Sequence, residues 1–542
     1  MSNTGRIEEK RIKNPILSGF YPDPSICRVG EDFYLVNSTF SWYPGIPVSH
    51  SRDLVSWRQI GNVIERAEQL DFAGQGISRG LFAPSIRYFE GRFYVTCTDI
   101  DGIGNFVVTA ERPEGPWSRP ARLDASGIDP SLFFDESTGR SWYIGTRPAP
   151  EGEAYSGNWE VWIREFDRER LALVGEPRGI WRGALRECIW PEGPHIYRID
   201  GRYYLTIAEG GTGPDHAVTV ARADTLAGPW VGKPSNPILT HRHLGSRAEI
   251  VNVGHGDLFD DGAGGWWMVF LASRPFGEER CSNLGRETFL APVTWEGGWP
   301  LVSAETGRVE PSYAAPALDS GLAAFPSPLL PACEHFTAPS LPRHWLTLRY
   351  PAERCSSLTE RPGYLRLRGL AGTIAGREPV AFAGIRQTSF DWALSCSVEV
   401  DAKSANEGSA LTAGLALVQS ESNHILFDVV QGPGVPVLRV IRFAKETAGD
   451  GEVLASRPLE GGAGPVILSA IQRGQRLSFF WKLPEEGDDG WRLMAEGVDA
   501  SILSTEKAGG FVGTVLGLYA SGNGKADSGH ADFDWMEYRA LT

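Results

Sequence analysis

No stretch of the 542-residue chain approaches the roughly 18 consecutive apolar residues of a membrane-crossing helix. The N-terminal stretch MSNTGRIEEKRIKNP is polar and charged and lacks the apolar core of a secretory signal, so a cytoplasmic location is expected. Seven cysteines (Cys27, Cys97, Cys188, Cys281, Cys333, Cys355 and Cys396) are scattered, and no two form a CxxC pair. That favours reduced, buried thiols over a zinc site. Positive charge is also short, with 52 Lys and Arg against 67 Asp and Glu, for a formal net charge of −15. Nucleic acid and anionic membranes need clustered Lys and Arg, so neither is an expected partner, and a neutral substrate suits the balance.

Aromatic residues, by contrast, are plentiful: 18 Trp, 15 Tyr and 25 Phe. Such side chains build β-rich cores, and they stack well on sugar rings. The length implies two domains or one very large one. Helical periodicity is scarce across the first three hundred residues, where a turn followed by an aromatic-rich strand recurs instead. The five copies are GEDFYLVNST (30–39), GRFYVTCTD (91–99), GRSWYIGTR (139–147), GRYYLTIAE (201–209) and GGWWMVFLA (264–272). Each follows a short apolar strand, which makes five hairpins. A five-bladed β-propeller is the economical reading, and its domain is placed at residues 1–315.

The strands that open these hairpins read DPSIC (23–27), APSIR (83–87), DPSLF (129–133), EGPHIY (192–197) and HGDLF (255–259). The innermost strands of a propeller all start near its axis on one face, so residues at that register converge. The converging set is Asp23, Ala83, Asp129, Glu192 and His255. Aligning Pro194 with Pro24 puts Gly193 opposite Asp23, so Glu192 joins the set only after a one-residue adjustment. A single Asp-Pro is most often a turn. Three acids at equivalent repeat positions repel one another, which calls for a functional reason.

Two carboxyls facing each other across a pocket are the minimum for glycoside hydrolysis, one protonated and one ionised. A third nearby carboxylate raises the pKa of the acid. Asp23, held between Pro22 and Pro24 in YPDPS, suits the ionised base. Glu192, beside Trp190 and Pro191, has an apolar setting that suits the acid, which leaves Asp129 as modulator. The motifs YPDPS, GLFAPSIRY, GIDPSLFFD, WPEGPHIY, AEGGT, NPILTHR, NVGHGDLF and LGRETFLAPV together resemble glycoside hydrolase family 43. The resemblance extends over essentially the whole chain. It implies a five-bladed propeller, inversion at the anomeric carbon, and exo-action on β-xylosides or α-L-arabinofuranosides in xylan-derived oligosaccharides or aryl glycosides. By motif it makes Asp23 the general base, Asp129 the pKa modulator and Glu192 the general acid. Inversion implies roughly 6.5–9.5 Å between the Asp23 and Glu192 carboxyls.

On sequence alone Arg286 could pair with Glu287; the resemblance places it at the axis, on sugar hydroxyls. Trp42, in the Pro/Gly-rich STFSWYPGIPV, is expected over the active face, stacked on a pentose ring. Phe82 is expected as an apolar wall. The resemblance also puts His255 on a water-filled central channel, where it could hold a structural calcium through waters. No cluster of Asp and Glu has calcium-loop spacing, and no cofactor is required.

A Pro/Ala/Ser-rich connection follows, placed at residues 316–340. Alternating strands then fill residues 341–542, from LSCSVEVDA to ADFDWMEYRA, and indicate an antiparallel β-sandwich. Its last strand resembles that of a concanavalin-A-like, jelly-roll sandwich. In relatives of this layout a sandwich loop narrows the pocket with an aromatic, here Phe511 in KAGGFVGTVLG, which implies exo-cleavage. Self-association is left open. Two competing readings are a retaining fructan- or sucrose-type hydrolase and a non-catalytic glycan-binding protein.

Overall fold

The computed structural model describes residues 10–541 apart from 246, 319–332, 402–409, 433, 448, 450, 460–463 and 527. Most of the expected 316–340 connection, residues 319–332, therefore lies outside the described residues. Five antiparallel sheets follow one another along the first part of the chain. Blade 1 comprises Ser25–Val29, Asp32–Val36, Gly45–Ser51 and Arg58–Ile64. Blade 2 comprises Ser85–Phe89, Arg92–Asp99, Gly104–Ala110 and Ala121–Arg122. Blade 3 comprises Ile128–Asp135, Arg140–Pro148, Trp159–Asp167 and Ala172–Trp181. Blade 4 opens with Glu192–Ile199, Arg202–Glu209 and Ala217–Ala223, and blade 5 with Val251–Asp260, Trp266–Ser273 and Glu287–Glu296. The five aromatic-rich segments are thus the second strands of five blades. The chain is all-β, a five-bladed propeller followed by a β-sandwich.

Asp23, Ala83, Asp129, Gly193 and His255 share one register. Each stands two residues before a residue paired with the second strand, in the pairs Ser25↔Val36, Ser85↔Thr96, Ser131↔Ile144, His195↔Thr206 and Asp257↔Val269. Four of the five have left-handed backbones, with φ of 51° at Asp23, 55° at Asp129, 53° at Gly193 and 53° at His255. For the three with a Cβ this conformation costs about 1–2 kcal/mol each, and such strain gathers where a side chain must be aimed. In blades 3, 4 and 5 the same strands are bulged at this point, which redirects side chains toward the axis. Gly193 therefore holds the fourth register position, and Glu192 reaches the axis from one residue earlier.

Below this layer the axis is closed by an ion pair. Arg87 donates to both Asp257 oxygens, at 2.8 and 3.1 Å, and to His195 Nδ1 at 2.8 Å. Asp257 also accepts from Ser25 Oγ at 2.7 Å and from Tyr197 Oη at 2.6 Å. The cluster ties blades 1, 2, 4 and 5 together. The N-terminal segment runs along blade 5, where Arg11–Lys13 pairs with Ser312–Ala314.

The sandwich consists of two large antiparallel sheets. One is centred on Trp392–Val400 between His530–Ala540 and Val466–Arg473. The other runs from Glu452–Pro458 through Leu411–Val418, Val515–Ser521 and Ala381–Arg386 to Leu346–Leu348. This second sheet continues into the propeller, because its edge strand Leu346–Leu348 pairs with Trp42–Tyr43. Trp42 consequently does not stand over the active face as its loop composition suggested. It is fully buried, tilted against Phe382 at 5.5 Å, in a core shared by the two domains. An extended dipeptide beside an unpaired sheet edge completes that sheet, and its large ring is buried beneath it.

Replacing Arg87 with Met leaves Asp257 buried without its cation. Urea unfolding should show about 3–5 kcal/mol of lost stability, and a loss below about 1 kcal/mol would show that the axis does not depend on this pair.

Candidate active site

The axial register opens into a cavity of about 320 Å³ whose walls come from all five blades and one sandwich loop. Asp23 enters it from a corner that the backbone holds on both sides. The Pro22 carbonyl accepts from the Ser38 amide at 3.2 Å and from Asn37 Nδ2 at 3.0 Å. Ser38 Oγ donates to Asp23 Oδ2 at 2.6 Å, and Arg286 Nη1 donates to Oδ1 at 2.7 Å. Burial pushes this carboxyl up, but Arg286, His255, Ser38 and His216 outweigh it and hold Asp23 below the ordinary aspartate value.

The other two acids move the opposite way. Asp129 Oδ2 accepts the Gly193 amide at 3.0 Å, and burial together with the Asp23 charge raises its pKa, against the pull of His255. Glu192 lies well above the ordinary glutamate value, first through burial and then through the charges of Asp129 and Asp23. Gly193, between them, has no room for a side chain. A Cβ there would lie 2.9 Å from the His255 ring, in a backbone conformation that already favours glycine.

Arg286 does not pair with its neighbour Glu287. Adjacent residues in extended chain face opposite ways, so Glu287 turns outward to Arg274, at 2.6 Å, while Arg286 points to the axis. There it spans Asp23, Thr212 Oγ1 at 3.3 Å and the Phe511 carbonyl at 3.3 Å. Phe511 arrives on the loop between the helical turn Thr505–Ala508 and strand Val515–Ser521, anchored by its amide to Ser78 Oγ at 2.9 Å. Its ring stacks on Phe40 at 6.0 Å and meets Phe82 edge-on at 5.8 Å. Phe82 lines the cavity.

Phe40, Thr212 and His216 line the cavity without having been singled out from the sequence. Phe40 and Thr212 follow second strands by a few residues, and those strands end on the active face. That position was the available signal, but the neighbouring Trp42 obscured it.

His255 also lines the cavity, packed on Gly193. Among the described residues no three or more His, Cys, Asp or Glu are arranged to hold a metal. The nearest carboxylates are engaged, Asp23 with Arg286 and Ser38, and Asp129 with a backbone amide. A calcium expected at His255 would take one imidazole from the protein, and its oxygens would have to come from water.

A sequence profile for Glycosyl hydrolases family 43 matches residues 12–300. The chain belongs to that family. A second profile, Beta xylosidase C-terminal Concanavalin A-like domain, matches residues 333–539. A relative from Butyrivibrio fibrisolvens, named xylosidase/arabinosidase, is 43% identical over 96% of this chain and 98% of its own. A non-reducing end alpha-L-arabinofuranosidase of Bacteroides ovatus is 36% identical over 99% of this chain and 96% of its own. Among solved structures, a xylan beta-1,4-xylosidase from Bacillus halodurans superposes with a TM-score of 0.87 at 33% identity, covering 97% of this chain and all of that one.

Removing the Ser38 hydroxyl takes away one of the bonds that hold Asp23 ionised. In Ser38→Ala the Asp23 pKa should rise, so the acidic limb of the kcat/KM profile should move up by about one pH unit. An unmoved limb would mean that Asp23 does not set it.

Proposed function

We propose that the protein is an inverting exo-glycosidase that releases terminal β-D-xylosyl or α-L-arabinofuranosyl units from small xylan-derived oligosaccharides. The observation that carries this reading is the opposed behaviour of Asp23 and Glu192 in one cavity, the first held ionised and the second held protonated. The names of the full-length relatives supply the sugar class.

Asp23 is the general base. Three of its lone pairs are taken, one by Ser38 and two by Arg286, and the remaining one, on Oδ1, can accept a proton from the attacking water. The rigid corner keeps that water aimed at the anomeric carbon. Glu192 is the general acid and delivers its proton to the departing glycosidic oxygen. Asp129 keeps that proton in place by opposing a second charge nearby. Arg286, as a donor-only fork, holds both the base and the hydroxyls of the sugar. Phe511 forms one wall of the cavity of about 320 Å³, and the full-length relative named for removing terminal sugars supports exo-action.

Proton NMR of the first-formed sugar from a nitrophenyl β-D-xylopyranoside or α-L-arabinofuranoside tests the reading. The product should carry the inverted anomeric configuration, whereas retention or an absence of turnover on both substrates would overturn it. Glu192→Ala should lower kcat by about 10²–10⁴ on substrates with poor leaving groups, and far less on nitrophenyl glycosides, whose leaving group needs little protonation.

Asp129→Asn removes a charge that keeps Glu192 protonated. The Glu192 pKa should then fall, and the alkaline limb of the kcat profile should move to lower pH. A limb that stayed or moved up would remove Asp129 from this role.

A further inference from the structure

His216 is a cavity residue that the mechanism above leaves unused. It immediately precedes strand Ala217–Ala223 of blade 4, is almost fully buried, and lines the cavity. Its Nδ1 lies 2.9 Å from the Asn252 carbonyl oxygen. A carbonyl only accepts, so Nδ1 carries a proton and donates it. Asn252 presents that carbonyl from a left-handed backbone with φ 59°, in the bulged first strand of blade 5.

Gly254, two residues further on, packs directly against the imidazole. A Cβ there would stand 2.4 Å from both Cε1 and Nδ1. The ring is therefore fixed by a peptide on one side and a carbonyl at one edge. Burial lowers its pKa to about 4, and the nearby His255 and Arg286 charges act in the same direction against the Asn252 bond and Asp23. A neutral ring with its only proton on Nδ1 carries a lone pair on Nε2. Nε2 has no partner among the described residues and is not enclosed, so it opens on the cavity. Arg286 and Thr212 stand on the same wall, and the arginine can only donate.

We infer that His216 is a specificity-determining substrate contact whose Nε2 accepts a hydrogen bond from one hydroxyl of the bound pentose. This rests on the glycosidase reading and names a subsite within it. A hydroxyl placed there can donate to His216 while accepting from a neighbouring donor, so the site selects for a hydroxyl and against hydrogen or an ether at that carbon.

Two measurements on the full-length protein test the inference. In the first, histidine is labelled with nitrogen-15, and His216→Phe assigns the resonances. From about pH 5 upward the ring should be neutral, with Nε2 unprotonated, and saturating D-xylose or L-arabinose should shift the Nε2 signal. A proton on Nε2, or an Nε2 signal unmoved by both sugars, overturns the inference whether or not the enzyme turns over. The second is a kinetic cycle with nitrophenyl pentosides lacking one hydroxyl at a time. His216→Phe should lose about tenfold in kcat/KM on the parent, and nothing further on the one analogue that lacks its partner. His216→Asn, which keeps an acceptor, should recover part of that loss. Equal losses on every analogue, or unchanged kcat/KM in His216→Phe, would also overturn it. Absence of wild-type turnover on either pentoside defeats the glycosidase reading instead.

Discussion

The site depends on one guanidinium among three carboxyls that share a cavity. Charges a few ångströms apart in a water-poor cavity interact far more strongly than in solution, so three ionised acids cannot share it with a single cation. Arg286 decides which of them stays ionised. It contacts Asp23 directly, and that acid alone of the three lies below its ordinary value. Asp129 and Glu192 feel Arg286 less than they feel burial and the charges of the neighbouring acids, and both are raised. The division into one lowered and two raised carboxyls follows from where the arginine is placed. The same residue helps close the ring of blades, since its backbone carbonyl accepts the Tyr21 amide at 3.1 Å, two residues before Asp23.

Much of this was legible in the sequence because the fold is periodic. Five aromatic strands after five turns are a statistical pattern as well as a structural one, and the prolines of YPDPS, APSIR, DPSLF and EGPHIY marked the register well enough to find the acids. The proline alignment even gave the correct residue, Gly193, at the fourth position. What the repeats could not show was the sandwich. Trp42 and Phe40 stand two residues apart in one loop, and either could have faced a sugar. The choice between them is made by Leu346–Leu348, some three hundred residues away, whose edge captures Trp42 and leaves Phe40 in the cavity. Strands such as Glu452–Pro458, largely exposed, lacked the alternation that reveals a half-buried strand.

Backbone strain shows the same division. The positive φ values at Asp23, Asp129 and His255 cannot be read from composition, because Asp and His visit that region for many reasons. Their meaning comes from recurrence at one register of three blades. A left-handed residue at the start of an inner strand turns its side chain along the axis, where an extended one would project it to a sheet face. Ala83, the one register residue without this conformation and without a polar group, leaves its place to the apolar wall begun by Phe82.

The sandwich is therefore part of the chemistry as well as the shape of the pocket. Phe511 offers its ring to Phe40 and Phe82, and its carbonyl to Arg286 Nη2. Without that carbonyl, Nη2 would keep only the 3.4 Å contact to Asp23 Oδ2, and Arg286 Nε already has no partner among the described residues. A guanidinium so poorly satisfied in a buried cavity would turn toward water or shift against Asp23, and the charge that keeps Asp23 ionised would move with it. The loop that lines the pocket with Phe511 also holds in place the cation that keeps Asp23 ionised. The shape of the pocket and the ionisation of Asp23 are then two consequences of a single docking contact between the domains.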